Sequence, residues 1–213
     1  STILLKRIST EIENRGVIDV LRKGVKDRGS TFHLVYFEPK SGLNPDHQKL
    51  YKQNRLSVVR QLKYSTQNEN SLDMGIFVNG IPIITMELKN TLTGQNHLNG
   101  EKQYKYDRDP KEPLFHFKRC LVHFSVGNEK VSMTTKLSGS KTKFLPFNKG
   151  IENPVNPNGH KTHYLWESIL QPKNVFDLIE NFVHTRFDIE KIYDPTQKRV
   201  VDKKKEVLIF PRF

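Results

Sequence analysis

The sequence has little cysteine and no long apolar segment. Cys120 is the single cysteine among 213 residues, which excludes an internal disulfide and fits a reducing compartment. No apolar stretch is long enough to span a bilayer, and the N-terminal STILLKRIST has neither the apolar region nor the cleavage site of a signal peptide. We therefore expect a cytoplasmic protein that does not enter the membrane.

Nucleotide-binding loops and zinc-type clusters are also missing. Neither G-x-G-x-x-G nor G-x-x-x-x-G-K-[ST] occurs, so this segment is not expected to bind nucleotide phosphates through such a loop. The eight histidines show no metal-ligand spacing with Cys120. Cys120 lies in an apolar strand pattern and Trp166 on a helical stripe, and we expect both to pack in the interior rather than to take part in chemistry.

Acidic residues are clearly outnumbered. The chain has 35 Lys and Arg against 23 Asp and Glu, a formal net charge of +12 and a pI of about 9.7. An excess of this size favours a polyanionic partner, because each neutralised phosphate releases counterions. We favour nucleic acid over a merely basic protein. A membrane surface is less favoured, because no basic amphipathic helix with a strong apolar face is found.

Apolar periodicity and turn residues predict a mixed α/β fold, a mixed sheet with flanking helices. The Asn79-Gly80 pair predicts a tight hairpin, because both central positions of such a turn need positive φ. The run Lys203 to Lys205 is interpreted as a solvated turn. Helices are predicted over 2–25 with a break at Gly16, and over about 45–54, 96–108, 164–170 and 174–186. Strands are predicted over 31–37, 56–64, 71–78, 81–89, 119–126, 130–137 and 207–210.

Two carboxylates and a lysine are expected to meet on the predicted hairpin. Glu87 and Lys89 are two residues apart on one strand and share a face, and Asp73 lies at the matching end of the preceding strand. Mg²⁺ prefers oxygen ligands, so Asp73, Glu87 and the carbonyl of Leu88 are predicted to hold it, with Lys89 orienting a water or offsetting charge. The pattern alone leaves open a simpler interpretation, a solvated Glu-x-Lys pair.

At these residues the chain resembles a known nuclease signature. Asp73 followed by Glu87-Leu88-Lys89 resembles PD-(D/E)xK, with Leu72 where a proline often stands. The segments SLDMGIFVNGIPIITMELKNTLTGQ, QYKYDRDP, RCLVHFSV and FLPFNKG resemble the N-terminal nuclease region of the restriction subunit of type I restriction-modification enzymes. The resemblance extends from about Arg15 to Phe213, and it implies a restriction-endonuclease-like core.

The resemblance also implies a division of the chain and a set of partners. Residues 1–150 would be the nuclease core, and residues 151–213 a helical extension and linker toward an ATP-driven motor domain. Both ends look cut, so we expect a fragment of a longer protein. Such subunits assemble with methylation and specificity subunits, and they cut double-stranded DNA at a distance from the recognised site. ATP would be needed only by the motor domain.

The family's site residues carry over only in part. Asp73 and Glu87 would be metal ligands and Lys89 the catalytic lysine. The family often has a Q-x-x-x-Y motif on the next helix; Gln103 fits it as a weaker catalytic candidate, but Asp107 stands at the tyrosine position. Tyr104 and Tyr106 are nearby, so the tyrosine role stays open. For the glutamate that related nucleases take from their first helix, Glu11 and Glu13 are the candidates.

Other functions remain possible at this point. A non-catalytic DNA-binding or subunit-docking module could keep the same fold, and a resolvase-like nuclease acting alone would share the chemistry but not the partners. Basic side chains near the signature could contact phosphates, or could simply be solvated. These are Arg60, Lys63, Lys102, Lys105 and Arg108.

Overall fold

A computed structural model describes residues 2–196 and 198–212. Its helices are α1 (Thr2–Arg15), α2 (Val17–Lys23), α3 (Pro45–Lys52), α4 (His97–Tyr106) and α5 (Pro172–Asp177), and π-helical turns at Leu165–Ile169 and Leu178–Phe182 flank α5. Its strands are β1 (Val25–Asp27), β2 (Ser30–Phe32), β3 (Leu56–Lys63), β4 (Ser71–Val78), β5 (Ile81–Leu88), β6 (Val122–Val126), β7 (Val131–Thr134), β8 (Leu145–Pro146), β9 (His184–Asp194) and β10 (Arg199–Ile209). No described helix combines the length and apolar character that crossing a membrane requires.

Six strands form one mixed sheet in the order β3-β4-β5-β6-β7-β8. Neighbouring strands are antiparallel except for β5 and β6, which run parallel. A parallel pair needs a long crossover connection, and here that connection carries α4. The mixed sheet with helices on its faces is consistent with a restriction-endonuclease-like core, as the sequence predicted.

Two apolar clusters build the interior. The larger joins α1, α2 and the C-terminal helical turns to β5 and β6, with Leu21, Met86 and Ile179 among its buried members. The smaller lies around Tyr104 of α4 and includes Phe115 and Cys120. Cys120 is therefore a core residue, as predicted, and burial raises the pKa of its thiol to about 12.

The Asn79-Gly80 turn is confirmed, and its asparagine also ties down a neighbouring segment. Asn79 and Gly80 have φ angles of 50° and 83°, as this turn requires. The Asn79 side chain accepts the N–H of Arg55 at 2.7 Å and donates to the carbonyl of Leu34 at 2.7 Å. It also donates to Asn54 Oδ1 at 3.0 Å. This one turn residue therefore contacts both the residues just before β3 and the segment that follows β2.

Most of the central elements match the predicted ones. The break at Gly16, the start of α3 at Pro45 and both ends of β4 are confirmed, and the structure shows Asn44 as the cap of α3. The strand predicted over 31–37 is wrong beyond Phe32. Its backbone finds side-chain partners instead of a ladder, because Asn54 accepts the N–H of Tyr36 at 3.3 Å and donates to its carbonyl at 2.6 Å.

The C-terminal prediction needs a larger correction. Residues 184–186, predicted as helix, begin β9, and the run Lys203–Lys205, interpreted as a turn, lies inside β10. The two strands pair over eleven residues, and Lys205 reaches Glu190 across the ladder at 3.4 Å. Trp166, expected to pack, is 43 % exposed in the first π-helical turn. The boundary at residue 150 stays a prediction, and Ser1 and Phe213 lie outside the described residues.

Replacing Asn79 should destabilise the protein. Asn79→Ala removes three side-chain hydrogen bonds and places alanine at positive φ, so we expect a loss of about 2–3 kcal/mol in the free energy of unfolding. Urea unfolding measures the loss, and exposed Asn158→Ala is the matched control, expected to change the value by less than about 0.5 kcal/mol. Equal effects of the two changes would contradict this account of the turn.

Candidate active site

The candidate site lies where β4 and β5 stop pairing. Their ladder runs from Val78 and Ile81 at the turn to Met74 and Met86. Beyond that point a side chain replaces the backbone partner, because Asp73 Oδ2 accepts the N–H of Leu88 at 2.7 Å. The predicted convergence of Asp73 with the end of the returning strand is therefore present in the structure.

Glu87 is the most deeply buried member of the site. Its side chain is 1 % exposed, and its Oε1 accepts hydrogen bonds from Arg108 Nε at 2.9 Å and Nη2 at 2.6 Å. The other oxygen, Oε2, is buried and accepts no hydrogen bond within the described chain. Glu87 thus has one oxygen fully engaged by a guanidinium and one oxygen without a donor.

Lys89 joins the two carboxylates. Its Nζ lies 3.3 Å from Asp73 Oδ2 and 3.5 Å from Glu87 Oε2, and its side chain is 7 % exposed. The backbone N–H of Lys89 donates to the carbonyl of Val126 at 2.8 Å, which extends the β5–β6 pairing by one residue. The ladder therefore fixes the backbone from which the amine extends.

The two carboxyl groups have opposite pKa shifts. Burial, the largest influence, raises the pKa of Glu87 to about 7, and Arg108 only partly offsets it. Burial also acts to raise the pKa of Asp73, but hydrogen bonds from the Leu88 N–H and the Glu87 carboxyl, with the Lys89 ammonium, outweigh it and hold that pKa below its usual value. Without a metal, one carboxyl of this pair is ionised at neutral pH while the other is close to its midpoint.

Helix α4 covers the site closely. A Cβ on Gly100 would overlap Ser125 Oγ and lie 3.1 Å from Glu87 Cβ, so only glycine permits this approach. Tyr104 is fully buried, its hydroxyl lies 2.8 Å from Thr85 Oγ1, and its pKa is raised above the ordinary value by burial. Gln103, three residues after Gly100, has a buried Oε1 with no hydrogen-bond partner in the described chain.

A polar chain underlies this packing. Thr85 Oγ1 also lies 2.7 Å from His123 Nδ1, and burial lowers the pKa of His123 to about 3, so the imidazole is neutral. Thr85 precedes Glu87 by two residues on β5 and shares its face. The chain therefore connects α4 and β6 to the strand that carries the glutamate.

The donor set fits a hard divalent ion. The Glu87 Oε2 atom accepts no hydrogen bond and has only the Lys89 amine at 3.5 Å, and the Asp73 side chain is 28 % exposed, so solvent reaches the site on that side. Across the described residues, no group of three or more His, Cys, Asp or Glu side chains is arranged to hold a metal. Two carboxylates with water suit Mg²⁺, which usually keeps several waters. The predicted ligation by the Leu88 carbonyl stays a prediction.

Some sequence candidates lie elsewhere. Glu11 pairs with Arg7 at 2.9 Å and Arg15 at 2.7 Å, and Glu13 accepts from Ser9 at 3.4 Å, so the described contacts of both acids are within or beside α1. Tyr106 is 69 % exposed on α4.

The five basic candidates differ in their surroundings. The Arg108 side chain is only 9 % exposed and is paired with Glu87, which corrects the expectation that it contacts phosphate or solvent. Lys63 pairs with Glu69 and Lys105 with Glu101, the latter at 3.4 Å. Arg60 and Lys102 are exposed.

The sequence did not identify Arg108 as the partner of Glu87. Its Nη2 also donates to the Ser71 carbonyl at 2.9 Å, and its guanidinium lies 5.7 Å from the Tyr64 ring centroid. The two ion-pair partners are 21 residues apart on different elements. Only the position of Arg108 just beyond α4, the helix that covers the site, could have suggested the contact.

Replacing Glu87 should change how stability depends on pH. The folded-state pKa of about 7 lies above the ordinary 4.5, so stability contributed by the neutral carboxyl is complete below 4.5 and lost as pH rises through 7. Gln imitates the neutral form. The free energy of unfolding of metal-free Glu87→Gln protein, taken relative to wild type, should rise by about 3 kcal/mol as the pH goes from about 4 to about 8.

Urea unfolding in EDTA at the two pH values measures this difference. Exposed Glu129→Gln, which loses only a surface pair with Lys161, is the control and should show little change with pH. A difference for Glu87→Gln that stays flat with pH would contradict the raised pKa.

The chain matches a known protein family over more than half of its length. No curated protein matches the chain. A family model described as type I restriction enzyme R protein N terminus matches residues 4–142, which is well over half of the 213 residues and includes the whole candidate site. The chain therefore belongs to the family of type I restriction enzyme R protein N-terminal regions.

Proposed function

We propose that the chain is the Mg²⁺-dependent endonuclease domain of a type I restriction enzyme R subunit, hydrolysing phosphodiester bonds in double-stranded DNA. The observation that carries the proposal is the meeting of Asp73, Glu87 and Lys89 where β4 and β5 separate. Two carboxylates and one amine, with a buried oxygen that accepts no hydrogen bond, suit metal-assisted phosphodiester hydrolysis better than they suit a solvated surface.

Each side chain has a distinct role in this proposal. Asp73 and Glu87 would hold Mg²⁺, and the bound ion would polarise the scissile phosphate and lower the pKa of a nearby water. Lys89 donates hydrogen bonds toward the attacking water or the phosphate oxygens and offsets their developing charge. Gln103 presents an unpaired amide oxygen from α4 and serves as a secondary positioning group.

Arg108 complements these groups from behind. Because two Arg108 hydrogen bonds go to the same oxygen, Glu87 Oε1, the carboxylate is held in one orientation and Oε2 would be left for the metal. The same guanidinium compensates part of the burial cost of the ionised carboxylate. Arg108 is thus a positioning residue rather than a DNA contact.

The family also indicates the setting of this activity. A type I R protein belongs to a restriction-modification system, and we propose that the domain acts in the cytoplasm beside methylation and specificity subunits. ATP would be used by a motor region of the same subunit to translocate DNA before cleavage. No recognition sequence is assigned to this domain, because the proposed contacts are to phosphates and metal.

Asp73→Asn should remove cleavage by the assembled restriction enzyme. The change keeps the size of the side chain but removes the charge that holds the cation. Plasmid linearisation with Mg²⁺ and ATP measures the rate, and ATP hydrolysis is the internal check that assembly and translocation persist. Asp202→Asn, an exposed position on β10, is the matched control and should cut at the wild-type rate.

Lys89→Met should slow the same reaction by roughly 10²–10³-fold, the usual effect of losing one charge-stabilising donor. Mg²⁺ binding by calorimetry should persist, because the two carboxylates remain.

Cleavage at the wild-type rate by Asp73→Asn enzyme would instead favour a non-catalytic DNA-binding or docking module on this fold. Independent cutting by the isolated chain, without partner subunits, would favour the resolvase-like alternative.

A further inference from the structure

A lysine-rich segment follows β6 in the chain and contains no acidic residue. Residues 130–151 include five lysines and neither aspartate nor glutamate. Much of the chain's excess of positive charge is therefore concentrated in a short stretch. The lysines are Lys130, Lys136, Lys141, Lys143 and Lys149.

The middle of this segment is a well-defined loop, residues 138–143. Thr142, 4 % exposed, accepts the N–H of Ser138 through its Oγ1 at 2.8 Å and donates to the Gly139 carbonyl at 2.7 Å. The N–H of Lys141 donates to the Ser138 carbonyl at 3.2 Å. Lys141 and Lys143 flank the buried threonine and are both exposed, so a fixed backbone presents them to solvent.

The loop packs against α4, the helix that covers the candidate site. Phe144 lies 5.9 Å from the ring centroid of Tyr104, and Lys105 Nζ lies 5.6 Å from the Phe144 centroid. A Cβ on Gly139 would lie 3.9 Å from the Lys105 carbonyl. Since the start of α4 contacts Glu87 through Gly100, the loop and the catalytic candidates share one helix as their common support.

The exposed lysines here have no acidic partner. Lys102 on α4, Lys141 and Lys143 take part in no ion pair with the described residues, in contrast to Lys63 and Lys105. A hydrogen-bonded loop that holds exposed ammonium groups close together is a favourable place for an anion, because a bound anion relieves their mutual repulsion. Lysine acts as a point charge toward phosphate and contributes no base recognition.

We propose that Lys141 and Lys143, together with Lys102, bind backbone phosphates of the DNA duplex beside the cleavage site. This inference rests on the proposed function for its ligand, because the loop adjoins the helix that covers a candidate phosphodiester-cleaving centre. The ammonium groups offset the repulsion that two site carboxylates exert on a polyanion. The surface is sequence-independent, as suits a domain that cuts away from a recognised site.

The test measures DNA affinity without cleavage. The whole chain is titrated into a labelled 20–30 base-pair duplex in EDTA at several KCl concentrations, and fluorescence anisotropy gives the Kd. Each phosphate contact contributes about 0.9 to the slope of log K against log salt. Lys141→Gln with Lys143→Gln should reduce that slope by about two and weaken binding roughly 10- to 100-fold near 0.1 M salt. Adding Lys102→Gln should remove about one more.

Lys203→Gln with Lys204→Gln, on the β9–β10 ribbon, is the control with the same change of charge. Its slope and Kd should match wild type, and all variants should keep the wild-type melting temperature. Loss of affinity in the ribbon variant with none in the loop variant would overturn the proposal, as would an unchanged slope in both or no binding by the wild-type chain. Cleavage by Asp73→Asn enzyme and DNA binding by the lysine variants are separate measurements on separate residues, so the nuclease proposal and the loop proposal can fail separately.

Discussion

A single hydrogen bond, from the Leu88 N–H to the Asp73 carboxylate, sets the geometry of the candidate site. It takes the place of a backbone pair where the β4–β5 ladder ends, and so it fixes an acidic side chain at the end of the returning strand. The next residue, Lys89, reaches the same oxygen, and the preceding residue, Glu87, points into the space between α4 and the sheet. The hairpin turn, the parallel β5–β6 pair and the close helix all serve to hold this junction.

Burial and the neighbouring groups then shift the pKa values of the two carboxyl groups in opposite directions. The Leu88 N–H and Lys89 keep Asp73 ionised, whereas burial raises the pKa of Glu87 to about 7 despite a buried arginine partner. Lys89 and Arg108 already balance the two carboxylates in charge, so what opposes ionisation of Glu87 is its burial, with no hydrogen bond to Oε2. A divalent cation at that oxygen would favour the ionised form. The arrangement thus gives a physical reason for metal binding that does not depend on family membership.

The sequence predicted the elements that local rules control. The Asn79-Gly80 turn, the Asn44 helix cap and the alternation of β4 and β5 are local signals, and together they were enough to place Asp73, Glu87 and Lys89 at one end of a hairpin. The family resemblance agreed with that placement, and the match over residues 4–142 includes it.

The elements and contacts that depend on residues distant in the chain could not be predicted from the sequence. The ribbon of β9 and β10 depends on an eleven-residue register between segments that have no clear apolar alternation, so its lysines resembled a turn. The segment 33–37 has strand-like composition, but Asn54 and Asn79 satisfy its backbone. Arg108 was classed by its charge alone, whereas its burial against Glu87 follows from how α4 packs. The role proposed for the Lys141–Lys143 loop depends on its contact with that helix, which the sequence did not show.

The central claim is that Asp73 and Glu87 together hold a divalent cation. Anomalous diffraction from crystals of the chain soaked in Mn²⁺ tests it most directly. The account predicts one strong peak about 2.1 Å from a carboxylate oxygen of each residue, with Arg108 still bound to the other oxygen of Glu87. Mn²⁺ bound only elsewhere, with Glu87 Oε2 left without a ligand, would contradict it.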